Sequence, residues 1–373
     1  MEDTDLVSKI ADNGDKPPTD STAEEGTSNF SAQEGTSAQP PENFAIGCGP
    51  FIREAPHFQG LSQGVVDIIL ESWKNSTKQQ YWTYLQKWIK FCMQRGTDPL
   101  LTPVALVLDF LLELFNSGLG YSALNTARGA LSSISSKPVG SNVLVTRFMK
   151  GIFHKRPSLP RYHVTWDVTI VLDYLKSLPP NEKLTLKILS EKLIMLMALL
   201  SGQRGQTLHT IKLSEVKITE QQVIIQIRSL LKTSKPTNHI GLITIPAFPT
   251  ERRLCIVTVL RAYIVRTQSI RKGEKLFIST ILPHHEVSRD TISRWLRHVL
   301  QQAGVDTSIF KPHSTRMAST SKAVGLHVPI STIIRTAGWK TDCTFRKFYK
   351  TPITNQNDTF ALTLLDSVKT TEK

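Results

Sequence analysis

A mainly α-helical chain with one small β-sheet, arranged as a helical bundle followed by a larger mixed domain, is the fold this sequence predicts. Three observations predict it. Apolar residues recur at helical spacing through most of the chain after Leu61. The period changes to β-branched runs at VIIQIRS (223–229) and IGLITIP (240–246). A basic, proline-bearing segment, HKRPSLPRYHVTWD beginning at His154, separates helical stretches on either side and reads as an interdomain linker.

Residues 1–58 come first and differ in kind. They hold 11 acidic and 3 basic residues, a net of −8, so the rest carries +22 of a total of +14. They are rich in Ser, Thr, Gly, Pro, Asn and Gln. Too little apolar surface is available to offset the entropy of ordering, and a disordered acidic tail is expected. A helical domain is expected over 59–158 and a second domain over 159–373.

The helices follow in order. SQGVVDIILESW suggests the first. Ser76 is the expected N-cap of the second, in which Tyr81, Tyr84, Leu85, Trp88 and Cys92 share one face, with Lys87 and Lys90 opposite and Gly96 at its end. Thr102-Pro103 predicts an N-cap with proline at the first helical position of VALVLDFLLELF. YSALNTARGALSSIS and NVLVTRFMKGIF complete a bundle of four or five helices. In the second domain, DVTIVLDYLKSL and LTLKILSEKLIMLMALLSG precede the two β-branched runs, which flank the basic loop LLKTSKPTNH as a hairpin. RLCIVTVLRAYIVRTQ, TISRWLRHVLQQAG, SKAVGL and PISTIIRTAG return to helix.

Charge and composition limit function. A body of +22 argues against a small metabolite as sole partner and for a polyanion such as nucleic acid. No stretch approaches ~18 apolar residues, so no membrane-spanning helix is expected. The acidic start lacks the apolar run of a secretory signal. Cys48, Cys92, Cys255 and Cys343 are scattered, which disfavours a disulfide scaffold or zinc site and fits a reducing intracellular compartment. Gly118-Leu-Gly120 lacks the third glycine of a dinucleotide loop, and the adjacent imidazoles of His284-His285 suit no metal.

Four features remain, in chain order: Ser201-Gly202-Gln203-Arg204, the hairpin with Lys232 and Lys235, His313-Ser314-Thr315-Arg316, and Gly338-Trp339 with Tyr349 beyond. Metal-free phosphoryl transfer on DNA asks for such a set. Two guanidinium groups clamp the non-bridging oxygens and stay charged at any working pH. A phenol serves as nucleophile. A lysine protonates the departing oxygen, and a histidine handles the nucleophile's proton. An indole N–H donates to a phosphate oxygen but moves no proton. Any one of these residues alone reads more readily as ordinary structure; their joint order carries the functional reading.

The ordered set Arg204, Lys232, His313-x-x-Arg316, Trp339 and Tyr349 resembles the tyrosine recombinases, the phage integrase family. LMALLSGQRGQTL, FKPHSTRMASTSKAVG and AGWKTDCTFRKFYKTPI are similar to its arginine, H-x-x-R and nucleophile boxes, and the preceding bundle to its SAM-like core-binding domain. STKQQYWTYLQKWIKFC, PRYHVTWDV and LLSGQRGQTLH look most like integrases of DIRS-like retroelements of animals. The resemblance spans roughly 60–373 and implies a C-shaped clamp around double-stranded DNA. It implies that Arg204 and Arg316 bind the scissile phosphate, that Lys232 is the general acid, and that His313 assists as acid or base. It also implies that Trp339 fills the position that is His or Trp in the family, and that Tyr349 is the nucleophile. Tyr349 is the only tyrosine C-terminal to the H-x-x-R box. Thr207 stands where many members have an acid, the Trp339–Tyr349 interval is one longer than in bacterial members, and Lys235 is an alternative to Lys232.

The implied activity is site-specific strand cleavage and rejoining through a 3′-phosphotyrosine, needing neither ATP nor metal. A tetrameric synapse and a nuclear location follow from it. Topoisomerase IB-like relaxation, or a domesticated DNA-binding protein without catalysis, are the alternatives. Lys87, Lys90, Lys150, Lys155, Arg156, Arg161, Lys235, Arg289 and Arg294 are candidate phosphate contacts. Phe360, Leu362, Leu364 and Leu365 form an apolar stripe that fits a helix packed on its own domain or, by the resemblance, one given to a neighbouring protomer.

Overall fold

The structure is a computed structural model that describes residues 48–159, 162–231, 234, 239–339, 342–349 and 351–353. The chain divides into two compact units at Leu159/Pro160.

The first unit is a bundle of α1 (Cys48–Arg53), α2 (Gln63–Leu70), α3 (Asn75–Met93), α4 (Val104–Asn116), α5 (Tyr121–Ser132) and α6 (Val143–Lys155). Its centre is aromatic: Trp88, Phe91 and Phe110 lie with ring centroids 5.2–5.7 Å apart. The Trp88 indole donates to the Pro99 carbonyl at 2.8 Å, so the one polar atom of a fully buried side chain is satisfied. The expected tail boundary at residue 58 needs correction. Residues 48–53 are helical, and Ile52 and Phe58 are buried in the bundle core, because this short stretch supplies apolar side chains that the acidic average of 1–58 conceals. Two capping expectations are also corrected. Ser76 lies inside α3, whose N-cap is Lys74, and Pro103 rather than Thr102 caps α4. The Thr102 hydroxyl instead donates to Ser135 Oγ at 2.6 Å, a tertiary bond that outcompetes the local cap.

The second unit comprises α7 (Val168–Ser177), α8 (Leu186–Ser201), α9 (Gly205–Thr210), β1 (Val216–Ile218), β2 (Gln222–Gln226) and β3 (Leu242–Pro246). It continues through α10 (Ile256–Thr267), α11 (Arg289–Gln302), α12 (Ser314–Gly325), α13 (Ile330–Ala337) and α14 (Asp342–Phe348). α8 is apolar nearly all round and is the central helix, packed by α10, α11 and α12. The sheet is antiparallel in the order β1-β2-β3, with Val223 opposite Ile245 and Ile225 opposite Ile243. These four side chains are buried against α8 and α10 while their neighbours face outward, as period-two alternation requires. The hairpin is thus as expected. The third strand, β1, is too short for its period to register in sequence.

The expected linker is structural in its second half. Thr165 bridges to Ile353, and the Trp166 indole donates to Ser314 Oγ at 2.9 Å. Arg161, Lys232, Lys235 and the stripe from Phe360 to Leu365 lie outside the described residues. Among the described residues no helix is long and apolar enough to cross a membrane.

Candidate active site

Two glycines set the site's frame. α8 ends at Gly202 in the left-handed region (φ 60°), and α13 ends at Gly338 in the same conformation (φ 72°). Each is followed by a functional candidate, Arg204 and Trp339. The two helix ends are fastened together. Gln203 Nε2 donates to the Thr336 carbonyl at 2.7 Å, and Arg316 Nη2 to the next carbonyl, Ala337, at 2.9 Å. The arginine box and the H-x-x-R box therefore bond successive carbonyls of one helix end.

Arg316 projects from the first turn of α12 and is 1% exposed. Its guanidinium carbon lies 4.1 Å from the Trp339 ring centroid and 5.5 Å from that of Tyr349. A guanidinium so held presents a fixed fork in a region of low dielectric, where an anion's charge is felt most strongly. The Trp339 and Tyr349 rings lie 4.7 Å apart, within a small apolar cluster with Met317, Ile333, Ala337 and Phe345.

Tyr349 follows α14 and is 4% exposed. Its backbone N–H donates to the Phe345 carbonyl, and its own carbonyl accepts the Ser321 hydroxyl at 2.7 Å. Its phenol oxygen lies 3.2 Å from His313 Nε2. His313 is exposed and caps α12, so it forms the solvent side of the buried phenol. The Trp339 indole N–H is buried with no acceptor among the described residues. It is a donor open to an oxygen from outside the described residues.

His313, Arg316, Trp339 and Tyr349 thus occupy one connected site, and Arg204 directly follows Gln203, whose side chain bonds the same helix end. The supporting residues to which sequence reasoning assigned no role are Gln203, Trp166, Asp167 and Ser321. Asp167 caps α7 and pairs with Lys322 of α12 at 2.9 Å. Burial alone would raise its carboxyl, but the Lys322 ammonium and the Thr169 N–H hold it below its ordinary value. Trp166 and Asp167 stand in the PRYHVTWDV phrase, where a buried aromatic beside a cap residue was the available signal. Thr207 is buried in α9, and its backbone carbonyl accepts the Thr210 hydroxyl at 2.8 Å.

The candidate phosphate contacts divide. Lys87, Lys90, Lys150, Lys155, Arg289 and Arg294 are exposed. Arg156 is corrected to a structural role. Its guanidinium lies 4.3 Å over the Phe115 ring and donates to the Leu119 carbonyl at 2.8 Å, closing the end of α4. Among the described residues no three His, Cys, Asp or Glu side chains gather as metal ligands.

The phage integrase family model matches residues 178–353, which hold all five of these residues. Residues 178–353 are similar in sequence to the phage integrase family. Solved structures agree on the fold. The chain is 12% identical to the XerH site-specific recombinase bound to palindromic difH, with 80% of this chain and 90% of that one covered at a TM-score of 0.54. It is 11% identical to the Tn1549 transposon integrase in complex with transposon right-end DNA, covering 87% of this chain and 100% of that one at a TM-score of 0.53. No curated protein matches the sequence.

Proposed function

We propose that this chain is a site-specific DNA recombinase that cuts and rejoins strands through a tyrosine–DNA intermediate. The observation that carries the reading is the Tyr349 phenol at 3.2 Å from His313 Nε2, with its ring against the Trp339 ring and the Arg316 guanidinium. In the cleavage step the phenol oxygen bonds to phosphorus and its proton passes to His313 Nε2. The bond to the 5′ oxygen breaks, and that oxygen takes a proton from the hairpin lysine, Lys232. The 3′ phosphate stays on Tyr349, which conserves the bond energy, and a 5′ hydroxyl from another strand reverses the step. Arg204 and Arg316 balance charge on the non-bridging oxygens, and the Trp339 N–H adds a neutral bond. The phenol must be uncovered as DNA docks.

Double-stranded DNA is the substrate, acted on by a homo-oligomer, four protomers around two synapsed sites. The net charge of +22 after residue 58 supports the first part. The phrases that resemble those of DIRS-like integrases support a mobile-element integrase acting in the nucleus. Nicked random-sequence duplexes test the chemistry: the wild type forms a covalent adduct, recovered under denaturing conditions, and Tyr349→Phe forms none. Absence of any wild-type adduct overturns the reading.

A further inference from the structure

The hairpin between β2 and β3 contains a hydrogen-bonded chain that the proposed chemistry does not use. The Leu231 N–H donates to Ser234 Oγ at 2.9 Å, and the Ser234 N–H donates back to the Leu231 carbonyl at 3.1 Å. Ser234 Oγ lies 2.8 Å from His239 Nδ1, and His239 Nε2 lies 2.8 Å from the Ile227 carbonyl. A carbonyl only accepts, so Nε2 carries the imidazole proton. His239 Nδ1 is paired with the Ser234 hydroxyl. The bonds link Leu231 through Ser234 and His239 to Ile227, and such chains reinforce one another.

The chain's position gives it meaning. Leu231 and Ser234 are bonded in both directions, and the residues between them in sequence are Lys232 and Thr233. His239 then links Ser234 to Ile227, the residue after β2. Next in sequence, Ile240 packs on the site's frame: a Cβ built on Gly338 would meet Ile240 Cδ1 at 3.0 Å. The hairpin is therefore pinned on one side by an imidazole and on the other against the residue before Trp339.

We propose that Ser234 and His239 are positioning residues that hold the hairpin so that its lysine protonates the departing 5′ oxygen. This rests on the recombinase reading, and it bears on one step of it, departure of the leaving group. Replacing that bridging oxygen with sulfur separates this role from general support of the fold, because a thiolate leaves without a proton.

Duplexes that wild-type protein captures from the random-sequence pool are remade with oxygen or sulfur at the bridging position. With oxygen, His239→Ala and Ser234→Ala are expected to form adduct about 10- to 100-fold more slowly than wild type. With sulfur, both are expected within about 3-fold of wild type, since the step they assist is bypassed. His239→Gln, whose amide N–H also reaches the Ile227 carbonyl, is expected to recover most of the rate on oxygen. Equal losses on both substrates, or no loss on oxygen, overturn the proposal. A wild-type protein that cleaves neither substrate overturns the recombinase reading, and the proposal with it.

Discussion

In the bundle of α1 to α6, the polar residues buried among those described are Ser133 and Ser135. In the unit that begins at α7 the interior holds Glu191, Lys192, Gln203, Glu215 and Arg316 as well as a row of hydroxyls on α12. Both units have ample apolar cores, so stability does not call for the second set. Burying a charge costs several kcal/mol unless partners satisfy it. The contrast teaches where to look for chemistry. Arg316 is held by the Ala337 carbonyl and two aromatic rings, one of them a buried phenol, whereas the bundle's cations stay at the surface or, like Arg156, close a helix end.

The largest effect expected from breaking this contrast is at the phenol. Tyr349→Phe removes one oxygen and leaves the ring packed against Trp339, so folding is expected to persist. Adduct formation should fall by about 10⁴-fold or more, as for loss of an enzymatic nucleophile. Covalent trapping together with circular dichroism checks both halves. Residual adduct at a near-wild-type rate would move the nucleophile elsewhere.

In the bundle the corresponding change acts on stability alone. Trp88→Ala empties the aromatic centre and forfeits the bond to Pro99, at an expected cost of about 3–5 kcal/mol by denaturant unfolding. A cost below about 1 kcal/mol would show that this core is not the close-packed one described.

Arg316→Lys tests whether the buried cation serves by shape as well as charge. Lysine keeps the charge but loses the planar fork that bonds Ala337 and lies over both rings. Adduct formation should fall about 10²- to 10³-fold. Stability should drop by only about 1–2 kcal/mol, since one charged hydrogen bond is lost. A purely structural arginine would reverse that ranking, with a large stability loss and a small loss of rate.

How much of this was legible follows from what each element needs. Amphipathic helices such as α3 announce themselves because one face must be apolar, and the hairpin because β-branched residues mark its two strands. The boxes were legible as an ordered set; His313, Arg316, Trp339 and Tyr349 lie in contact, and Gln203 of the arginine box bonds the same helix end as Arg316. The helix α1 was hidden inside an acidic stretch, β1 was too short to show a period, the helix of Ser76 begins one residue earlier than its expected cap, and the Thr102 cap lost to a tertiary bond with Ser135. Gln203 and Ser321 were invisible for another reason. Each acts through a backbone carbonyl that comes near only in three dimensions.

Lys192 bears on whether every charge in the second unit's interior is functional. It is fully buried on α8, and its ammonium has no hydrogen-bond partner among the described residues. Burial, aided by the Arg253 charge and opposed by Glu251 and Glu182, lowers its pKa to about 8. In the unfolded chain a lysine titrates near ~10.4. Between these values the unfolded state binds more protons than the folded one, so stability should rise with pH from about 8 toward 10. Below about 8 the penalty is fully present and constant. Lys192→Met should remove it, stabilising the protein at pH 7 by roughly 1–2 kcal/mol and flattening the rise between pH 8 and 10. Unfolding curves at pH 7 and pH 10 measure both effects. A variant less stable than wild type at pH 7 would mean that Glu251 and Glu182 hold the ammonium in a net favourable arrangement. The buried charges of this unit would then be stabilising in their own right, and burial of charge would lose its value as a pointer to the site.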